Sequence, residues 1–265
     1  MKVSDPMLKN YHSHTLRCGH AWAGDDELVQ AAIDAGFTTL GISEHSPWPF
    51  VDGYQEIDSR QRITMEQLDD YIADMQALKE KYRDQIEIKI ALECEYFPRY
   101  FDWLRSVKDR FDYLLLGVHC SEHDEHLHHY YARSTKAEQV VEYTRCVLAG
   151  MESGLFAYLA HPELCFADYP VYDEVCKELV QSICKKAKEL DMPLEYNLYG
   201  VDKQLRNRQK GLGYPCKLFW EEAAKYGCKA IIGVDAQRAE HYNRQRFLDA
   251  QEYLLSLGMK LVDTI

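Results

Sequence analysis

Several features that would settle a function at a glance are missing from this sequence. No strand-like run is followed by a glycine-rich nucleotide fingerprint, and no G-x-S-x-G motif occurs, which weakens an open nucleotide-binding sheet and a serine hydrolase alike. No CxxC pair is present. The nine cysteines are odd in number and scattered, giving no disulfide framework and no cysteine zinc site, so they read as buried, reduced thiols. No Pro/Gly/Ser-rich linker, low-complexity run or fixed-period repeat divides the 265 residues, and a single domain spanning 1–265 is expected. The opening Met1-Lys2-Val3-Ser4-Asp5 lacks a signal-peptide pattern and no apolar run is long enough to span a bilayer, so a cytoplasmic protein with no membrane partner is expected. Basic charge is scarce as well. With 31 Lys and Arg against 43 Asp and Glu, the net charge of -12 argues against a nucleic-acid partner. An acidic chain that handles phosphate esters would need positive charge from elsewhere, and bound metal ions are the obvious source.

What is present is an alternation of short apolar runs with amphipathic stretches. Strands are expected at Leu8–His14, Thr39–His45, Ile86–Phe97, Tyr113–Cys120, Tyr158–His161, Pro193–Leu198 and Lys229–Asp235. Helices are expected at Asp25–Ala35, stopped by Gly36, and after a Thr64/Gln67 capping box with Met65, Leu68, Tyr71, Ile72, Met75 and Leu78 on one face. Further helices are expected over Glu138–Met151, along Val171, Val175, Leu179, Ile183, Ala187 and Leu190, over Lys217–Tyr226, and near Arg244–Leu257. Strands alternating with helices imply a parallel sheet with helices outside, and seven such units suggest a barrel.

The chemistry-bearing residues recur at strand ends. His12 and His14 end strand one, His45 strand two, His119 strand four, His161 strand five and Asp235 strand seven, while Glu93 and Glu95 lie late in strand three. In a barrel these ends converge on one face. Imidazoles with carboxylates suit zinc, iron or manganese. His12 and His14 are two apart and leave the same face of an extended strand, so both can hold one ion, and Glu93 or Asp235 can bridge two. A lone strand-end histidine is usually structural; repetition on strand after strand is what favours a metal site over that reading. Cys18, Cys94 and Cys120 lie beside these residues and read as small apolar fillers, with ligation the alternative.

The motifs then resemble a known family. Tyr11-His12-Ser13-His14-Thr15 with Cys18-Gly19-His20-Ala21, Ser43-Glu44-His45, Leu92-Glu93-Cys94-Glu95-Tyr96, Gly117-Val118-His119, Ala160-His161-Pro162 and Gly233-Val234-Asp235-Ala236 resemble, in order, the motifs of the PHP (polymerase and histidinol phosphatase) family, histidinol-phosphate phosphatase branch. The resemblance implies an α/β fold, a distorted TIM-like (β/α)7 barrel, with two or three divalent transition metal ions (Zn, Fe or Mn). It implies one ion on His12, His14, Glu93 and Asp235, a second on Glu93, His119 and His161, and a third on His20, His45 and the residue two after Asp235. The activity implied is hydrolysis of a small phosphorylated metabolite, L-histidinol phosphate, to L-histidinol and phosphate by attack of metal-bound hydroxide, as a step of histidine biosynthesis. Glu93 and Asp235 carry the catalytic metals, and His20 is a candidate donor to the leaving oxygen. The alternatives are another phosphate ester (nucleotide, sugar phosphate or diester) and a non-catalytic metal-binding relative.

Two departures from the family pattern stand out. The last motif usually reads Asp-x-His, and here it is Asp235-Ala236-Gln237, so the third ion would have a neutral amide ligand. The turn after strand six usually carries a phosphate-binding arginine, and Asp202 falls there instead. Asn197, Lys203, Arg206, Arg208 and Arg238 are the candidate substrate residues, and His241 the other residue that could reach the pocket. The His123–Tyr131 segment is a candidate lid or extra metal site, or a solvated loop.

Overall fold

The computed structural model describes residues 8–49, 61–121 and 129–265. Eight strands form one sheet in sequence order, every neighbouring pair parallel: β1 (Leu8–Asn10), β2 (Phe37–His45), β3 (Glu87–Cys94), β4 (Tyr113–Leu116), β5 (Tyr158–Leu159), β6 (Leu194–Asn197), β7 (Lys229–Gly233) and β8 (Lys260–Leu261). The sheet curls until its edges meet. Beyond β1 and β7, Ser13 and Ala236 form a parallel bridge, with His14 N–H donating to the Ala236 carbonyl at 2.7 Å and Ala236 N–H to the His12 carbonyl at 3.3 Å. The result is a distorted TIM-like barrel. Seven strands close around the C-terminal rim, as expected. The eighth was not expected: it pairs with the start of β7 and fills the gap at the opposite end, where the Tyr11 hydroxyl donates to the Asp263 carbonyl at 3.0 Å.

The pleat sorts residues into two cores. On β4, Leu114 and Leu116 join the large outer core against the helices, whereas Tyr113 and Leu115 join a small inner cluster with Tyr11, Ala91, Tyr158, Ala160 and Ile231. That cluster plugs the barrel floor, with the Tyr158 hydroxyl donating to the Tyr11 carbonyl at 3.0 Å. Toward the rim, the same inward rows carry His45, Glu93, Glu195, Asn197 and Asp235. Two glycines make this polar layer possible. A Cβ at Gly117 would overlap the Glu93 carboxylate, and one at Gly233 would overlap that of Glu195.

Outside lie α1 (Asp25–Asp34), α2 (Leu68–Tyr82), α3 (Phe101–Val107), α4 (Ala137–Glu152), α5 (Glu174–Glu189), α6 (Leu198–Leu205), α7 (Lys217–Lys225) and α8 (Arg244–Ser256). Asp25, Asp26 and Glu27 occupy the first turn of α1, favourable at the positive end of the helix dipole. The Thr64/Gln67 box forms, each backbone N–H donating to the other's side chain at 2.8 and 3.3 Å. Two expectations are corrected. The buried face of α5 is Cys176, Leu179, Val180, Ile183, Cys184 and Ala187, while Val171 and Leu190 lie outside the helix and are exposed. The turn expected after strand six is α6, because the Asn197 side chain caps it by accepting from Gly200 N–H at 2.8 Å. Helix α3 had no counterpart in the sequence reading. All nine cysteines are buried and none forms a disulfide. No helix among the described residues is long and apolar enough to cross a membrane. Of the His123–Tyr131 segment, His123–His128 lies outside the described residues.

Candidate metal centre

Glu93 sits at the hub of the rim. Its Oε2 lies 3.2 Å from His12 Nε2, 3.3 Å from His14 Nε2 and 3.2 Å from His45 Nδ1. Its Oε1 lies 3.0 Å from His161 Nε2 and 3.5 Å from His119 Nε2. Asp235 Oδ1 is 3.3 Å from His14 Nε2 and 3.7 Å from His12 Nε2. Strand pairing explains part of this, since His45 and Glu93 are in register on β2 and β3 and share the inner face. The chain reverses sharply at the ends of β5 and β7, where His161 and Asp235 adopt positive φ (29° and 50°), a conformation costly for non-glycine residues and common at functional sites.

Three donor groups could therefore hold an ion here: His12, His14 and Asp235; His14, His45 and Glu93; and Glu93, His119 and His161. Two donors on one tetrahedral ion at about 2.0–2.2 Å lie roughly 3.3 Å apart, which matches these separations. His12 Nε2 is buried and makes no hydrogen bond despite two carboxylates nearby. An aimed but unsatisfied lone pair is what a ligand nitrogen presents. The donor set fits divalent transition metals.

Two further carboxylates orient the rings. Glu195 Oε1 accepts from His12 Nδ1 at 2.8 Å, and Glu95 Oε1 from His119 Nδ1 at 2.8 Å. Each places the proton on Nδ1 and leaves the Nε2 lone pair facing the cluster. Glu95 Oε2 also accepts from the backbone N–H of His119 at 2.7 Å. The sequence reading missed Glu195. Its signal was a carboxylate inside the apolar run Pro193–Leu198, a position that demands a buried partner.

Electrostatics couple the cluster. Burial opposes ionisation of Glu93, yet His12, His45 and His119 hold its pKa well below the ordinary value. Burial works against a charged His12 too, and Glu195, Asp235 and Glu93 outweigh it, raising its pKa strongly. Burial, reinforced by His14, His20 and His119, drives His45 well below the ordinary value despite Glu93. Burial and the charge of His14 push His20 down to about 4. The buried carboxylates require positive charge beside them, which metal ions on these imidazoles would supply.

The expected third set is only partly assembled. His20 and His45 come together, ring centroids 5.0 Å apart, and His20 also joins His14 and Cys18 in a fourth possible donor group. Cys94 and Cys120 are in none of these groups. Gln237 borders the cavity, but its side chain makes no hydrogen bond among the described residues. Its backbone is fixed, the carbonyl accepting from Trp22 N–H at 2.8 Å and the N–H donating to His241 Nδ1 at 3.1 Å. The His20 Nδ1–H donates to the Cys18 carbonyl at 3.3 Å, leaving a lone pair on Nε2. That arrangement suits the ligand role expected of His20 better than its alternative role as a proton donor.

Above the donor cluster opens a cavity of about 510 Å³ bordered by Arg62, Arg133, Lys203, Arg206, Arg208 and Arg238. The chain is acidic, but this mouth is basic. Among the candidate substrate residues, Asn197 is corrected: it is buried, donates to Glu195 Oε2 (3.0 Å) and Asp235 Oδ2 (3.1 Å), and its amide is spent on positioning them. Arg206 is engaged by Asp202 at 2.8 Å, and Arg246 approaches the same carboxylate at 3.2 Å, so Asp202 is neutralised within the protein. Lys203 lies 4.4 Å from the Tyr199 ring centroid and donates to the Tyr214 hydroxyl at 3.2 Å. Burial lowers its pKa, and Arg208 lowers it further against the pull of Asp235. Among the described residues neither Lys203 nor Arg208 has an ion-pair partner. His241 is buried at the cavity wall, 5.3 Å from Tyr199 ring to ring, and Tyr130 stacks on His119 at 6.2 Å.

Known proteins resemble this chain over most of its length. The chain is 27% identical over 267 residues to a protein of Deinococcus radiodurans named probable histidinol-phosphatase, covering 96% of this chain and 95% of that one. It is 27% identical over 256 residues to the histidinol-phosphatase of Bacillus subtilis, covering 86% and 92%. The fold matches that of a Lactococcus lactis histidinol phosphate phosphatase, solved with zinc, L-histidinol and phosphate, with a TM-score of 0.71 at 17% identity over 96% and 95% of the two chains. The PHP domain model matches residues 10–198, stopping short of β7 and Asp235, which complete the same rim, and the chain belongs to the PHP domain family.

Proposed function

We propose that this protein is a metal-dependent phosphomonoesterase that hydrolyses L-histidinol phosphate to L-histidinol and phosphate. The observation that carries the reading is the convergence of His12, His14, His45, His119 and His161 on the two oxygens of Glu93, under a basic cavity. The full-length similarity to histidinol-phosphatases supports the substrate.

His12, His14, Glu93 and Asp235 would hold one ion, and Glu93, His119 and His161 a second, with Glu93 bridging. A third would rest on His20 and His45, with Gln237 or Cys18 as the remaining donor. Zinc, iron and manganese all suit these donors. When bound, such ions lower the pKa of water and offset charge on the phosphoryl group. The protein's own groups do the rest. Glu195 and Glu95 keep His12 and His119 in the ligating tautomer. Asn197 holds Asp235 in place. Lys203 and Arg208, without an ion-pair partner among the described residues, would present positive charge to a phosphate dianion, replacing the arginine whose expected place Asp202 occupies. Nine reduced thiols support a reducing compartment, the cytoplasm, and the product supports a role in histidine biosynthesis.

The test is phosphate release from histidinol phosphate against a panel of nucleotide, sugar-phosphate and diester substrates, after loading with Mn, Fe or Zn and with metal content measured in parallel. Strong preference for histidinol phosphate is expected. Turnover of only another ester would replace the substrate, and bound metal without turnover would replace the enzyme by a non-catalytic relative.

A further inference from the structure

Trp22 stands on the rim of the cavity with 69% of its surface exposed, whereas Trp48 and Trp220 are buried. The ring is not on a loose segment. Its backbone N–H donates to the Gln237 carbonyl at 2.8 Å, and the next residue, Ala23, accepts from Leu16 N–H at 3.1 Å. The Arg238 guanidinium lies 4.9 Å from the indole centroid. Trp22 thus borders the same space as His20, His45 and Asp235, and its one polar atom, a donor N–H, is no metal ligand. Leaving an indole in water forgoes hydrophobic free energy that a planar group laid on it would recover.

We propose that Trp22, backed by Arg238, is the surface on which the leaving group of the ester packs, and that it selects a planar heteroaromatic group over an aliphatic chain. This inference rests on the phosphomonoesterase reading above. The imidazole of histidinol phosphate fits such a surface: it stacks when neutral and is drawn to the indole face when protonated. Arg238 anchors the indole from its own side and so presents a preset platform. The remaining exposed indole surface is open to the ligand.

The experiment compares kcat/KM for histidinol phosphate and for 2-aminopropyl phosphate, which keeps the amino alcohol ester and lacks the ring, in metal-loaded wild type, W22A, W22L and W22F. W22A is expected to lose about tenfold on histidinol phosphate, through KM, and to stay within about twofold of wild type on the aliphatic ester. W22F recovers most of the loss and W22L does not. Titration with histidinol quenches indole fluorescence in wild type and leaves W22F, which keeps the other three tryptophans, unquenched. An equal loss on both esters, or no loss on histidinol phosphate, overturns the proposal. If wild type hydrolyses other monoesters but not histidinol phosphate, the substrate reading fails separately, and the same variants on phenyl phosphate against glycerol phosphate decide the role of Trp22 by the same ratio.

Discussion

The Nδ1 of His12 and the Oε1 of Glu195 face each other at 2.8 Å in the floor of the metal centre, both fully buried. The contact fixes which ring nitrogen of His12 carries the proton and turns the other toward Glu93 and Asp235. Glu195→Gln keeps the shape and removes the charge. It should weaken metal binding about 10–100-fold. Competition with a chromophoric chelator measures this directly, and unchanged affinity would show that His12 needs no such partner.

Gln237 borders the third donor set without a side-chain hydrogen bond among the described residues. Gln237→His should therefore raise the metal content per chain, read by elemental analysis after dialysis. The same stoichiometry in both proteins would mean that Cys18 or another group already completes the site, or that no third ion binds.

Lys203 and Arg208 have no ion-pair partner among the described residues, whereas Arg206 is held by Asp202. Lys203→Ala and Arg208→Ala should each raise KM for a phosphate monoester roughly tenfold, an effect that shrinks in high salt. Arg206→Ala should change KM little. Equal effects of all three would point to a diffuse field instead of specific contacts.

Glu163 is buried behind His161, with its Oε1 accepting from Cys216 N–H at 3.0 Å and Trp220 Nε1–H at 2.8 Å. Burial is the main cause that raises its pKa from 4.5 to about 7. The folded state thus holds this proton more tightly than the unfolded chain. The resulting stabilisation is complete below the unfolded value and is lost as pH rises through about 7, by on the order of 3 kcal/mol. Glu163→Gln keeps both accepted hydrogen bonds on its amide oxygen and removes the titration. Its melting temperature should fall less than that of wild type between pH 5 and pH 8, and parallel curves would exclude the effect.

Much of the site was legible because its parts are local. Each motif lies at or just beyond the end of a strand, and parallel strands of a barrel present their ends on one face, so His12, His14, His45, Glu93, His119, His161 and Asp235 could be gathered before any coordinates. The substrate residues were less legible. Asn197 was a candidate substrate residue, but its amide is consumed by Glu195, Asp235 and the first turn of α6. The segment after strand six was expected as a turn, and the Asn197 cap makes it a helix.

The sequence by itself determined the alternation of strands and helices and the strand-end placement of the candidate metal ligands, since each depends on periodicity or residue chemistry within a short window. Only the tertiary structure decided the rest. The eighth strand exists because the gap between β7 and β1 must be filled, and two residues at the end of the chain carry no such signal. Glu195 acts because Gly233, on the neighbouring strand, leaves room for its carboxylate beneath the rim. Asp202 is harmless to phosphate because Arg206 and Arg246 neutralise it, and Arg246 lies 44 residues away on another helix. Such relationships are set by closure of the barrel, which brings distant residues within hydrogen-bond reach, and no local pattern encodes them.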